Sequence, residues 1–329
     1  MCPATDSPRV TVVVPTYRRP LMLLEALVSV VSSSYRDFEV LVVNDGTEED
    51  LTVARAQLAD PRIKWITREK RLGMLENNLD AFRRARGEYI ATLHDDDRWS
   101  PALLGTLVPI LESHADVVVA FADHYVVDQG GAIDELQTDA VSRMWGRATL
   151  REGLHCPFRK LAVIDQSIPL QCAAVFRRNA LNLADFPAQV GPLYDIWTSY
   201  QLASSGGAAW YVTEKLAFYR THAASQTAAG TAANARAGVY CWERLLKDAT
   251  LAVWTPDLKR RLAAAEFRLA TDLLRNRNNR AARCHARRAA ALAPSLRTVA
   301  LVMAAYAAPA VARRAIDKRR RAPSGTDLN

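Results

Sequence analysis

Across residues 9–123, apolar runs rich in β-branched residues alternate with segments whose apolar positions recur at helical spacing, and that alternation leaves few folds open. "RVTVVVPTY" reads as a buried strand cut off by Pro15, and "PLMLLEALVSVVSS" as a helix with Pro20 suited to its first turn. "FEVLVVNDG", "RIKWIT", "GEYIATLH" and "ADVVVAFAD" read as further strands. "EEDLTVARAQLAD", "GMLENNLDAFRRAR" and "SPALLGTLVPILESH" read as the helices that separate them. Continuous apolar strands alternating with helices imply an α/β fold, a parallel sheet covered on both faces. Ligands of such sheets bind at the carboxyl ends of the strands. The polar sets that fall there are "PTYRR", "NDG" and "HDDD", so all three are expected on one rim.

From about residue 126 the rhythm breaks. "HCPFRKLAVIDQSIPLQCAAVFRRNAL" holds short strands and a helix, and "GPLYDIWTSYQLASSGG" reads as a helix ending at a Gly pair. "AWYVTEKLAFYRTHAASQT" reads as a strand running into a polar loop, "AAGTAANARAG" as a hinge, and the remainder as Ala/Arg/Leu-rich helices. Half of the residues are hydrophobic and 24% are charged, which suits a soluble globular chain and excludes a disordered one. Five cysteines without CxxC spacing argue against a disulfide framework and a zinc site, and fit a reducing cytosol. "MCPATDSPRV" has no basic stretch followed by an apolar core, so no signal peptide is read there. The net charge of +8 is uneven: from Asp257 onward 17 Lys and Arg face five acids, leaving the body mildly negative. No nucleic-acid motif is present.

The chemistry concentrates in "YIATLHDDDRW". Asp95, Asp96 and Asp97 repel one another and resist burial unless a cation or hydrogen-bond donors compensate. Two readings follow, a solvated turn or a site for a hard divalent cation, Mg²⁺ or Mn²⁺, which takes carboxylate oxygens and shares its sphere with substrate phosphates. Asp45 in "VVNDG" is either a turn residue or an acceptor for a nucleotide base edge. Neither GxGxxG nor GxxxxGK[ST] occurs, so a nucleotide here would be held through a metal and side chains.

Taken in order, the motifs resemble those of the family 2 glycosyltransferases, over roughly residues 9–226. "VTVVVPTYRRPLMLLEALVSV" is similar to the family's opening strand and helix, and "FEVLVVNDGT" to its second strand with a nucleotide-contacting acid. "GMLENNLDAFRRARGEYIATLHDDD" resembles the helix leading into the DxD strand, "PLYDIW" the acidic pair before a Trp, and "KLAFYRTHAASQT" the closing Tyr-Arg-x-His loop. The resemblance implies a GT-A-type, mostly parallel sheet with a C-terminal helical extension. It implies donor binding by Pro15, Thr16, Tyr17, Arg19, Asp45, Asn77, Asp95 and Arg220. Asp96 and Asp97, with His222 as a further contact, would hold the metal. His94 stands where the family usually has an acid, and is not expected to be a direct ligand.

The resemblance also implies an inverting displacement with Asp195 as general base; Tyr194 leaves it as the one acid of the usual pair. Residues 1–125 would form the nucleotide-sugar half, 126–228 the acceptor and base half, and 229–329 the basic extension. The donor would be a nucleotide-diphosphate sugar, and the acceptor an envelope polysaccharide, a lipid-linked saccharide or a small metabolite. The competing readings are a nucleotidyltransferase, disfavoured because "PTYRRP" has no glycine, and a non-catalytic nucleotide- or membrane-binding protein. The protein is expected in the cytoplasm. Its uncharged stretch Thr298 to Ala312 and basic Arg313 to Arg321 either contact the inner membrane face peripherally or cap the fold. "LLRNRNNRAARCHARRAAALAP" also resembles a lone tetratricopeptide-like helix pair.

Overall fold

A computed structural model describes residues 7–222, 232–311, 313, 314 and 316. The chain divides into two units, one of residues 1–188 and 194–225, the other of residues 189–193 and 226–329.

The first unit is built on strands β1 (Val10–Thr16), β2 (Phe38–Asn44), β3 (Ile63–Thr67), β4 (Tyr89–Thr92), β5 (Arg98–Trp99), β6 (Val117–Val127), β7 (Gly153–His155), β8 (Ala174–Arg177) and β9 (Ala208–Arg220). Helices α1 (Pro20–Val31), α2 (Thr52–Gln57), α3 (Met74–Arg84), α4 (Leu103–Ser113), α5 (Glu135–Met144) and α6 (Tyr194–Ser204) connect and cover them. The strands lie in the order β3-β2-β1-β4-β8-β6-β9-β5, with β7 pairing onto β9.

The expected βα rhythm accounts for the parallel block β3-β2-β1-β4, where β2 is buried at every position and β1 at all but Pro15. A helix between successive strands enforces that direction. Beyond it the sheet is mixed, because β8 inserts antiparallel between β4 and β6. The four residues of β8 carry no pattern that sets its direction, which comes from pairing with β4 and β6.

Apolar spacing explains how α1 is held. Leu23, Ala26, Leu27 and Val30 fall on one face and are fully buried, while Pro20 starts the helix. Each buried leucine or valine contributes roughly 1.5–3 kcal/mol relative to exposure. In α4 the buried set Leu103, Leu104, Leu107, Val108 and Leu111 carries the helix through Pro109, which lies inside it.

Parallel strands β6 and β9 slip register where Asp123 and His124 face Lys215 and Ala217. Asp123 is buried there and accepts from Arg147 Nε and Ser142 Oγ, both at 2.7 Å, and from the His124 backbone N–H at 2.8 Å. Burial pushes this carboxyl up, but the Arg147 charge and those bonds outweigh it and hold it below its ordinary value. Replacing Arg147 by Met, which keeps the apolar stem, is expected to strand a buried carboxylate and cost about 3–5 kcal/mol. Denaturant unfolding checks this; a loss below about 1 kcal/mol would mean that the pair contributes no more than an exposed one.

The second unit is helical: α7 (Ala232–Leu246), α8 (Thr255–Arg275), α9 (Asn279–Leu292) and α10 (Leu296–Ala307). Asn278 caps α9 by accepting from the Ala281 backbone N–H, and α9 buries only small side chains, Ala282, Ala286 and Ala289. Glu266 on α8 is fully buried, held by His285 Nδ1 at 2.6 Å and Arg288 Nη1 at 2.9 Å. No helix among the described residues is long and apolar enough to cross a membrane. The end of the "KLAFYRTHAASQT" loop, the start of "AAGTAANARAG" and residues 317–329 of the basic tail lie outside the described residues.

Candidate functional site

Three strand ends meet at one rim of the first unit. Backbone pairing carries β4 alongside β1 up to a bond from the Leu93 N–H to the Val13 carbonyl at 3.0 Å, which sets residues 94–97 beside residues 15–19. The chain then turns tightly, with the Asp97 N–H donating to the His94 carbonyl at 3.1 Å. At the end of β1, Arg18 takes a left-handed φ of 56°, which a non-glycine residue seldom adopts. "PTYRR" and "HDDD" thereby interlock.

Asp95 is buried and engaged by the β1 turn. Its Oδ2 accepts from Thr16 Oγ1 at 2.7 Å and from the Tyr17 N–H at 3.3 Å, and its Oδ1 from Arg19 Nη1 at 3.1 Å. Burial, then the charge of Asp96, pushes the Asp95 carboxyl up against the pull of Arg19. Asp96 Oδ2 receives Arg19 Nη1 at 2.5 Å and lies 3.0 Å from His222 Nε2. Burial raises Asp96 too, but His94, the His222 bond and Arg19 prevail and leave it below the ordinary carboxylate value. Asp97 is pushed well above that value by burial and by the charges of Asp96 and Asp95.

Three of these side chains have the spacing a cation requires. Ligand atoms of His94, Asp96 and Asp97 lie within 4.8 Å of one another. Asp97 Oδ1 accepts from the Arg220 backbone N–H at 2.8 Å, whereas the buried Oδ2 has no N–H or O–H donor among the described residues, the Cys172 thiol being its neighbour. A buried carboxylate oxygen without a donor costs free energy that a metal would offset, and an imidazole beside carboxylates suits Mn²⁺. These residues fit a divalent cation. His94, set aside as a ligand in reading the sequence, belongs to the cluster geometrically, while His222 reaches it through Asp96.

The other expected donor contacts are placed as follows. Pro15 is half-buried in β1 opposite Val43. Both Asp45 oxygens accept from backbone, Oδ1 from the Leu72 N–H at 2.6 Å and Oδ2 from the Gly73 N–H at 2.8 Å. Asn77 donates from Nδ2 to the Val43 carbonyl at 2.9 Å and accepts from Arg68 Nε at 3.0 Å. Asp45 and Asn77 thus fix the loop and helix that wall one side of the rim. The Arg71 guanidinium caps this wall, lying 4.2 Å over the Tyr17 ring.

Arg220 is a clasp. Beyond its backbone bond to Asp97, its Nε donates to the Asp96 carbonyl at 2.9 Å, Nη1 to the Gln129 carbonyl at 2.8 Å and Nη2 to Glu25 Oε2 at 2.5 Å. Every nitrogen it has is already committed, so its role in this conformation is to hold the acidic turn. Asp195 stands in the first turn of α6, where its Oδ1 accepts from the Ile196 N–H at 2.8 Å. Burial raises its carboxyl, opposed by that bond and by the charge of His94. The electrostatic reach of His94 links Asp195 to the acidic cluster.

Glu25, Arg68 and Arg71 escaped the sequence reading. Glu25 sits in an ordinary helical pattern with no local mark of its role. Arg68 and Arg71 did leave a signal, the basic run "REKR" at residues 68–71, just before Leu72 and Gly73.

Residues 11–181 match the glycosyl transferase family 2. An uncharacterized protein of Mycobacterium tuberculosis is 28% identical over 233 residues, 67% of this chain and 69% of its own length. A Campylobacter jejuni protein named GalNAc(5)-diNAcBac-PP-undecaprenol beta-1,3-glucosyltransferase is 31% identical over 31% of this chain and 34% of its own length. Several other curated relatives are matched over less than half of their length. Among solved structures, S. aureus TarS 1-349 in complex with UDP-GlcNAc superposes with a TM-score of 0.61, at 16% identity over 95% of this chain and 91% of that one. The mannosyltransferase PcManGT of Pyrobaculum calidifontis, in complex with GDP-Man and Mn²⁺, gives 0.56 at 22% identity, over 95% of this chain and 85% of that one. Both likenesses are of fold.

Proposed function

The chain belongs to glycosyl transferase family 2, and from that premise we propose that it moves a sugar from a nucleoside-diphosphate donor to an acceptor hydroxyl with inversion at the anomeric carbon. The observation that carries this reading is the convergence of His94, Asp96 and Asp97 around a buried Asp97 oxygen without an N–H or O–H donor among the described residues, on the rim where the β1 turn and the Asp45 loop meet. Bound there, a divalent cation supplies neutralising charge for the departing diphosphate.

The remaining roles fall to side chains. Thr16, Tyr17 and Asp95 face the ribose side, and Tyr17 with Arg71, over the wall fixed by Asp45 and Asn77, faces the base. Arg19 offsets the carboxylates until the donor arrives, and Arg220 keeps the turn in shape. The acceptor oxygen forms a bond to the anomeric carbon, its proton passes to the Asp195 carboxylate, and the bond to the diphosphate breaks with its electron pair leaving on the phosphate oxygen. The raised pKa of Asp195 makes it a stronger base than an exposed aspartate. The Campylobacter relative's name supports a lipid-linked saccharide as acceptor.

The deciding experiment is a thermal-shift panel of UDP, GDP, dTDP, CDP and ADP, each with and without Mn²⁺ or Mg²⁺. A ligand that binds only the folded state raises its apparent stability by mass action. One nucleotide giving a shift that requires metal is expected, and names the donor class for a transfer assay. Folded protein that shifts with none of them would refute the reading.

A further inference from the structure

The transfer chemistry assigns no residue of the second unit, yet its helices α9 and α10 carry an organised surface. Between Leu273 and Ile316 the sequence has nine arginines and no acid. Four of them, Arg280, Arg283, Arg287 and Arg288, line a groove of about 600 Å³ between α9 and α10, with Tyr306 on its other wall. The Arg283 guanidinium lies 4.9 Å from the Tyr306 ring centre. Arg288 is matched by Glu243 and Glu266, but among the described residues Arg280, Arg283 and Arg287 pair with no carboxylate. The groove therefore presents net positive charge to whatever enters it.

The adjoining face of α10 is apolar and open. Leu296, Val299, Met303 and Tyr306 are 47–94% exposed and recur at three- and four-residue spacing, which sets them in one stripe. Thr298, Leu301 and Ala305 occupy the opposite face and are buried. A soluble helix seldom leaves four large apolar side chains in a row in water. A row of arginines beside such a stripe is the arrangement of a helix lying in a lipid headgroup layer, its apolar side immersed and its cations at the phosphates.

We infer that α9 and α10 form a docking surface for an anionic phospholipid bilayer, with Arg280, Arg283 and Arg287 at the headgroups and Leu296, Val299 and Met303 immersed. Charge complementarity names this occupant: an apolar protein partner would leave the arginines unmatched, and a soluble anion would leave the stripe uncovered. The inference is independent of the transfer reading.

Flotation of the full chain tests it, with vesicles of phosphatidylcholine alone or with roughly one-third phosphatidylglycerol. Two double variants are compared, Arg280→Glu with Arg287→Glu and Leu296→Glu with Met303→Glu. All four positions are exposed, so both variants should fold, and a thermal melt verifies it. Binding to the phosphatidylglycerol vesicles only is expected, falling about tenfold or more in each double variant. Inorganic phosphate is expected to displace the protein no better than chloride of equal ionic strength. Loss in the arginine variant alone, with displacement by phosphate, would show a soluble-anion site and overturn the inference. Binding unchanged in both variants would place attachment elsewhere, in residues 317–329, and overturn it equally. So would no binding to either vesicle.

Discussion

Asp96→Ala is expected to abolish metal-dependent nucleotide binding, lowering affinity for the nucleoside diphosphate in the presence of Mn²⁺ by about 100-fold or more. Asp96 is the one carboxylate of the cluster held below its ordinary pKa, so it is ionised and ready for a cation while burial pushes Asp95 and Asp97 toward the neutral form. Its removal leaves His94 and Asp97 as a two-ligand remnant and releases Arg19 and His222 from their shared acceptor. One or two carboxylates with substrate phosphates usually hold such an ion, so losing the ionised one removes the main anchor of the sphere. Calorimetric titration with the nucleotide identified by the thermal-shift panel, with and without metal, reads this directly. Affinity that stayed within about twofold of the parent would remove Asp96 from the site. His94→Ala should weaken Mn²⁺ more than Mg²⁺, because imidazole favours the softer ion.

Asp195→Asn separates binding from chemistry. Transfer is expected to fall by roughly 10²- to 10⁴-fold, the range general-base removal covers, with nucleotide affinity unchanged. In the parent protein, activity should be lost as pH falls through the burial-raised Asp195 pKa, so the acid limb lies above that of an exposed aspartate. The stability effect has the opposite sense. A carboxyl whose folded pKa is raised contributes stability below its unfolded pKa, and that contribution disappears as pH rises through the folded value. At neutral pH the buried charge is a cost, so Asp195→Asn should melt no lower than the parent. A variant that turned over at near-normal rate, or that lost nucleotide binding as well, would exclude Asp195 as the base.

The parallel block β3-β2-β1-β4 and its rim were readable because each strand is a continuous apolar run that ends in a polar set. Period and punctuation are local properties, and they carried the reading as far as residue 123. The antiparallel insertion of β8 was not readable, since its direction depends on pairing with β4 and β6 rather than on its own four residues. The same limit hid Glu25, whose bond to Arg220 spans 195 positions, and left Arg220 with the appearance of a free cation. His94 posed a different problem. Its identity was plain, but whether a histidine at a strand end turns toward two carboxylates is decided by the turn, through the bonds from the His94 N–H to the Gln171 carbonyl and from the Asp97 N–H to His94.

The Arg220 clasp also orders events during synthesis. Strands β1, β2, β3 and β4 leave the ribosome early and have each other to pair with, but the acidic turn gains its Arg220 restraint only when β9 has emerged. Until then Asp97 Oδ1 lacks the Arg220 N–H, and Glu25, Asp96 and Gln129 wait for one guanidinium. A chain halted before Arg220 would hold a nearly complete sheet and an acidic turn without its clasp. Such restraints, far apart in sequence, form late and slowly.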